Sequence, residues 1–518
     1  MKHFTTVWVG ALLCSLAVPL WASGLSTEQR QLHVLNRIAY GPNAVDITRV
    51  NEVGVDRYID EQLHPERIPL PQSLARQLDD LSAINKSTGD MIVEFRAAER
   101  EAKQNPEQGK QERRQLVIQI AEQTATARLS RAIYSPRQLE EVMVDFWFNH
   151  FNVFEGKGLD RVLVSAYERE AIRPHVLGRF RDLLGATAKH PAMLFYLDNW
   201  LSTAPGFQPR IRINPKQKAG GLNENYAREL MELHTLGVDG GYTQKDVTEL
   251  ARILTGWTFD PRDGMFRFVD RRHDQGDKDW LGSHVTSSGQ AEGEHALDVL
   301  AKAPATARHI SYQLAQYFVS DQPPQSLVDR LTRRFTESDG DIREVLDTLF
   351  HSPEFWDPVN YAKKFKTPYQ YLVSTLRASD VQVVNYRPLL GTLRQLGMPL
   401  YGAQTPDGYK NTEAAWLNPD ALSRRINFAT ALAAGRLPLA SMLDPDGDGR
   451  PEQMNSRRTI NAPRGMEDVQ KTFVALDAST LAKTLNGLLS GQTQAAIADA
   501  DPRLRAALML GSPDFMRH

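Results

Sequence analysis

The stretch Gly221–Trp257, GLNENYARELMELHTLGVDGGYTQKDVTELARILTGW, constrains the fold more than any other part of the chain. It parses as helix, tight turn, helix. Leu222, Tyr226, Leu230 and Leu233 recur at helical spacing and form one apolar stripe. Glu224, Arg228 and Glu232 follow at i, i+4 and i+8 on a second face, with Asn225 and Glu229 beside them. This helix is expected to end near Gly237. Asp239-Gly240-Gly241 tolerates positive φ, so the chain can reverse there. Thr243 and Asp246 have the spacing of N-cap and N3 in a capping box, and Val247, Leu250, Ala251 and Leu254 give the second helix a buried face. The first helix carries an unusual density of polar side chains for a buried element. Asn223, Glu224, Arg228, Glu229 and Glu232 are therefore the first candidate site residues.

Such a hairpin needs a large helical body to pack against. The 518 residues are 41% hydrophobic and 24% charged, enough for an extensive core. Net charge is −2 and no basic stripe stands out, which disfavours nucleic acid as a partner. Residues 1–23 read as a secretory signal: Lys2 supplies the positive end, Phe4–Leu20 is apolar but short, and Trp21-Ala22-Ser23 offers small residues for cleavage. The alternative is an N-terminal membrane anchor. Either way the protein is expected in the periplasm or outside the cell. The single cysteine, Cys14, lies in this leader, so the mature chain has no thiol for disulfides, nucleophilic catalysis or metal ligation. No later segment is long and apolar enough to span a bilayer.

The run NENYARELMELHTLGVDGGYTQKDVTELARILTGW closely resembles the core of a bacterial family catalogued as "domain of unknown function 1800". NRIAYGP (Asn36–Pro42), DFWFNHFNVF (Asp145–Phe154), YEREAIRPHVLGRF (Tyr167–Phe180), HPAMLFYLDNW (His190–Trp200) and HDQGDKDWLG (His273–Gly282) resemble the same family. The resemblance extends from about residue 30 to the C-terminus. It implies an exported protein whose gene neighbours one for an alkaline-phosphatase-superfamily protein, a candidate partner. It implies no activity, because the family has none established.

The rest of the chain reads as a mainly α protein: a large multi-helix domain with one small β-hairpin insertion. The expected organisation is an N-terminal helical region over 24–130, a core helical domain over 131–378 and a C-terminal helical region over 379–518. Leu25–Leu63 suggests two short helices joined at Gly41-Pro42, and Met91–Ile133 a charged helical hairpin with its tip near Pro106. Asn149-His150 and Asp198-Asn199 are polar pairs set among aromatic residues, so Asn149, His150, Asp198 and Asn199 join the candidate site. Thr258-Phe259 and Met265–Val269 flank a turn and supply the β-hairpin. His273, Asp274 and Lys278 follow on a glycine-containing loop. Ser352-Pro353-Glu354-Phe355 and Ser512-Pro513-Asp514-Phe515 echo one another, each reading as a serine-capped helix end. Gly402–Pro419 is a long loop with Tyr409 and Trp416, suited to a lid or to core packing.

One motif suggests a metal. Asp444-Pro445-Asp446-Gly447-Asp448-Gly449 matches the opening of a Ca2+ loop, with Arg450 able to give its carbonyl and Glu452 at the ninth position. Asn455 stands where a bidentate glutamate belongs, so a solvated acidic turn is the competing reading. No G-x-S-x-G elbow, H-E-x-x-H helix, phosphate-binding loop or C-x-x-C-H site is present. Two functions remain. In the first, the protein is an exported scaffold or assembly factor working with a protein partner, and the charged residues pair or cap. In the second, Asn149, His150, Asp198, Asn199, Glu224, Arg228, Glu229 and Glu232 line a pocket for metal-dependent or acid/base hydrolysis or small-ligand binding. The first predicts carboxylates saturated by arginine. The second predicts an open cavity with unpaired carboxylates from at least three helices.

Overall fold

A computed structural model describes residues 24–208, 221–440 and 475–518. The leader, residues 209–220 and the acidic motif at Asp444–Glu452 lie outside the described residues. Twenty-three α-helices and two two-stranded antiparallel sheets occur among the described residues, so the protein is mainly α. One cluster of buried apolar side chains runs from Val34 to Met516, drawing on every part of the described chain. No described helix is long and apolar enough to cross a membrane.

The N-terminal segment forms three helices rather than two: Thr27–Arg37, Ala44–Val53 and Val55–Leu63. Gly54, at φ +80°, breaks what the periodicity reads as one helix. The charged hairpin forms as expected from Thr88–Gln104 and Pro106–Tyr134, with Pro106 at the start of the second helix. Gly109 lets the two helices touch, since a Cβ there would sit 2.4 Å from the Ala102 amide nitrogen. The second helix reaches the core and delivers Arg128 to it, buried to 4% exposure.

The helix Gln138–His150 is nearly enclosed, with Trp147 fully buried. The next helix, Asp160–Tyr167, continues into a turn of wider helix over Glu168–Ile172, where Glu168 is buried. Wider turns of this kind commonly mark functional positions.

The expected β-hairpin is present: β1 (Trp257–Phe259) pairs with β2 (Phe266–Phe268), Trp257 opposite Phe268. A second hairpin, β3 (Lys278–Trp280) with β4 (Ser283–Val285), adds to it. Its polar sequence hides it from period-2 reasoning. It is held by a buried charge cluster instead. Glu292 accepts from Lys278 Nζ at 2.6 Å and pairs with His273 Nε2 at 2.9 Å, all three side chains having no solvent exposure. Asp274 takes a bidentate pair from Arg252.

The two serine motifs have one geometry. Ser352 donates to the Leu349 carbonyl and accepts from the Phe355 amide; Ser512 does the same with Met509 and Phe515. Each closes a helix with a turn rather than starting a new one. The second delivers Met516–His518 alongside Lys364–Lys366, where Lys366 N donates to the Met516 carbonyl.

Candidate functional site

The signature helix spans Asn225–Glu232, shorter than the apolar stripe suggests. Tyr226 and Leu230 are buried as expected, while Leu222 and Leu233 are half-buried. Gly237 lies at φ +84° and ends the turn that follows. Thr243 and Asp246 form the expected capping box on the helix Gln244–Ile253.

The outer face of this hairpin is saturated. Glu224 Oε1 accepts from Thr248 at 2.8 Å, and Oε2 accepts from Gln244 at 2.9 Å and Arg228 at 3.4 Å. Glu224 and Arg228 thus staple the two helices together. Asn223 Oδ1 accepts from the Asn225 amide at 2.9 Å, and its Nδ2 donates to the Asp198 carbonyl at 3.1 Å. Asp198 is held at φ +59° and pairs with Lys157 at 2.9 Å. Asn199 Nδ2 donates to the Leu254 and Trp257 carbonyls, both at 3.3 Å. Asp198, Asn199, Asn223, Glu224 and Arg228 therefore meet around the hairpin, where each hydrogen-bonds to protein. None of the five lines the cleft at the inner end of the helix.

The inner end of the helix is different. A cleft of about 380 Å³ opens where Glu232 and Leu233 approach Asp145, Asn149 and His150 of the helix Gln138–His150. Its far wall is the helix Pro304–Phe318, through His309, Gln313, Gln316 and Tyr317, and its rim is the loop Asp407–Thr412. Among the described residues the Glu232 carboxylate receives only the Tyr242 hydroxyl, at 3.3 Å. The Glu229 carboxylate has no hydrogen bond among the described residues. Burial, then Glu232 and Asp407, push its carboxyl up, against the pull of Arg228.

Asn149 shapes this cleft rather than facing it with free groups. Its Nδ2 donates to the Tyr409 carbonyl at 2.8 Å and its Oδ1 accepts from the Tyr409 amide at 2.7 Å. Asn152, one turn on, donates to the Ala403 and Thr405 carbonyls. The two asparagines bolt the 403–409 loop to the helix. Gly408 permits it: at φ +64°, a Cβ there would lie 2.4 Å from the Asn149 carbonyl oxygen. The Gly402–Pro419 loop is thus a fixed wall, with Tyr409 donating to the Pro399 carbonyl at 2.9 Å.

The two cleft histidines are neutral. His150 Nε2 donates to the His234 carbonyl at 3.1 Å, which leaves the lone pair on Nδ1. Burial, with His309 nearby, drives its pKa down to about 3. Burial also lowers His309, whose Nε2 accepts from Gln313 Nε2 at 3.1 Å. His234, two residues beyond the helix end at Glu232, is buried beside Phe151 and does not line the cleft.

Asp145 forms the floor. Arg128 Nη2 donates to it at 2.6 Å and Arg128 Nη1 to Glu168 at 2.6 Å; Tyr401 donates to Glu168 at 2.8 Å. Arg173 joins Glu168 to Glu141. Burial raises Asp145 and Arg128 opposes it. In Glu168 burial also raises the pKa, but Arg128 and Arg173 outweigh it and bring the carboxyl down to about 2. Behind Asp145 an inner chamber of about 30 Å³, lined by Arg128, Tyr369 and Tyr401, has room for a water or two.

Of the sequence candidates, Asn149, His150 and Glu232 come together here. Asp145, His309 and Gln313 were not foreseen as site residues, whereas Asp407 and Tyr409 lie in the Gly402–Pro419 loop read from the sequence as a lid or as core packing. Asp145 was within reach, four residues before Asn149 on one helix face. The others come from segments whose sequence carries no chemical pattern. Among the described residues, no group of three His, Cys, Asp or Glu side chains is placed to hold a metal ion. Asp444, Asp446, Asp448, Arg450 and Glu452 lie outside those residues.

A family model described as a protein of unknown function (DUF1800) matches residues 33–517. No curated protein and no solved structure matches the chain.

Proposed function

We propose, from the premise that the chain belongs to the DUF1800 family, that this protein binds a small polar ligand in the cleft between Glu232, Asp145 and the Pro304–Phe318 helix. One observation carries the reading. Side chains from three helices and a bolted loop enclose about 380 Å³ of space lined by carboxylates, amides and tyrosines. That volume is in the range of small-molecule sites. The wall is costly to build, since it rests on a buried five-residue charge network and two asparagine clamps. We take the protein to be exported, so the ligand is met outside the cytoplasm.

Val238 stands 68% exposed at the cleft. Val238→Trp narrows the cleft without touching the core. The expected result is that a chemically broad metabolite panel contains compounds that raise the melting temperature of the wild type and not of Val238→Trp. A panel whose active compounds act equally on both proteins would sink the proposal.

A scaffold or assembly factor for a partner such as an exported alkaline-phosphatase-superfamily protein is the second reading. It is favoured by the saturated outer face, where Glu224, Arg228, Gln244 and Thr248 satisfy one another. Under it, Val238→Trp keeps full function in the host; under the cleft reading it does not.

A further inference from the structure

The charges around the cleft indicate what kind of ligand it takes. Three carboxylates border it: Asp145 on the floor, Glu232 on one wall and Asp407 on the rim. Among the described lining residues the sole lysine or arginine is Lys410. It is already paired with Asp407 at 2.7 Å. His150 and His309 add no positive charge, because burial keeps both neutral.

The ground beneath the floor does not restore the balance. Asp145 shares Arg128 with Glu168, and Glu168 shares Arg173 with Glu141. Arg131 and Arg137 stand within electrostatic reach of this network together with Glu140, so its guanidinium groups are already spent on its own carboxylates. Glu232 on the opposite wall has a tyrosine hydroxyl and, among the described residues, no cation paired with it. Tyr317 and Tyr409 supply aromatic faces between these carboxylates. A carboxylate lacking its cation, beside aromatic rings in a partly desolvated cleft, is the setting in which ammonium and guanidinium groups bind. The carboxylates do not converge as a metal site would require, so the spacing suits an organic cation lying along the cleft.

We propose that the cleft takes a small organic cation, an amine or a guanidine, whose charge is met by Asp145 and Glu232. This rests on the cleft being a ligand site. The probes are two matched pairs that differ in one charge: arginine against citrulline, and glucosamine against N-acetylglucosamine. At millimolar concentration the cationic member of a pair raises the melting temperature of the wild type and its neutral partner does not. Glu232→Gln weakens the apparent affinity about tenfold, the loss of one charge-assisted hydrogen bond. Asp145→Asn removes a partner of Arg128 and can fail to fold, so Glu232→Gln is the deciding variant. Equal shifts from both members of each pair overturn the charge assignment and leave ligand binding intact. No shift from either cationic probe, or full affinity in Glu232→Gln, also overturns it. Failure of the cleft reading itself looks different: Val238→Trp then responds to every compound that the wild type does.

Discussion

Single side chains here do unequal work, and Asp160 is the extreme case. It sits in the first turn of the helix Asp160–Tyr167 with no solvent exposure, and among the described residues neither carboxylate oxygen has a hydrogen-bond partner. Burial raises its pKa well above the ordinary 3.8; Lys157 opposes this, Asp198 reinforces it, and the Tyr167 hydroxyl is close. The folded protein therefore keeps a proton that the unfolded chain loses above about pH 3.8. The pH-dependent part of the group's cost vanishes at acid pH and grows as pH rises from 3.8 toward the raised folded value. Asp160→Asn removes that cost. It should stabilise the protein at pH 8 by on the order of 1 kcal/mol and the gain should shrink toward pH 4, read by chemical denaturation at both. A variant less stable than wild type at pH 8 would show that Asp160 is ionised and paired. Asn149 is the opposite case. Its position among aromatics suggested chemistry, yet both ends of its amide are used on the Tyr409 backbone. A sequence shows that an amide is present, not whether its hydrogen bonds are free.

Among elements, the short β3–β4 hairpin is the most dependent on side chains. Two three-residue strands cannot hold themselves together. Glu292, at the start of the helix Gln290–Lys302, anchors them through His273 and Lys278, and also accepts from the Ser288 and Gly289 amides. Glu292→Ala strands a buried lysine and is expected to cost about 3–5 kcal/mol in denaturant unfolding. Replacing both charges, Glu292→Leu with Lys278→Met, should recover most of that loss. A single-variant loss below about 1 kcal/mol would mean water reaches the cluster. The signature hairpin is a second lesson in elements. Its helix stops at Glu232, one turn before Gly237, because Thr235 donates to the Leu230 carbonyl and closes it early. That early stop leaves Glu232 and Leu233 at the edge of the cleft.

For the whole molecule, one apolar cluster ties the first described helix to the last residues. The sequence also carries an acidic Ca2+-like motif at Asp444–Glu452, a proposal independent of the cleft. Millimolar Ca2+ should raise the melting temperature, and Asp446→Asn should abolish the rise. An unchanged midpoint in the wild type would remove the motif from consideration.

Much of the fold follows from local pattern alone. Helical periodicity marks the core helices, proline and asparagine place the tip at Pro106, and Thr243 with Asp246 announces a helix start. These features depend on residues within a turn or two of one another, and local sequence holds that information. The cleft does not. Asp145, Glu232, His309 and Asp407 are brought together by packing among segments far apart in the chain. Which of two equally polar faces of the signature hairpin is saturated and which opens on a cavity depends on what lies across from it: Gln244 and Thr248 on one side, and space on the other. The sequence by itself determined that this chain is helical and that its central hairpin is rich in carboxylates. Tertiary structure alone decided which of those carboxylates have partners, because a charge finds its partner through space and not along the chain.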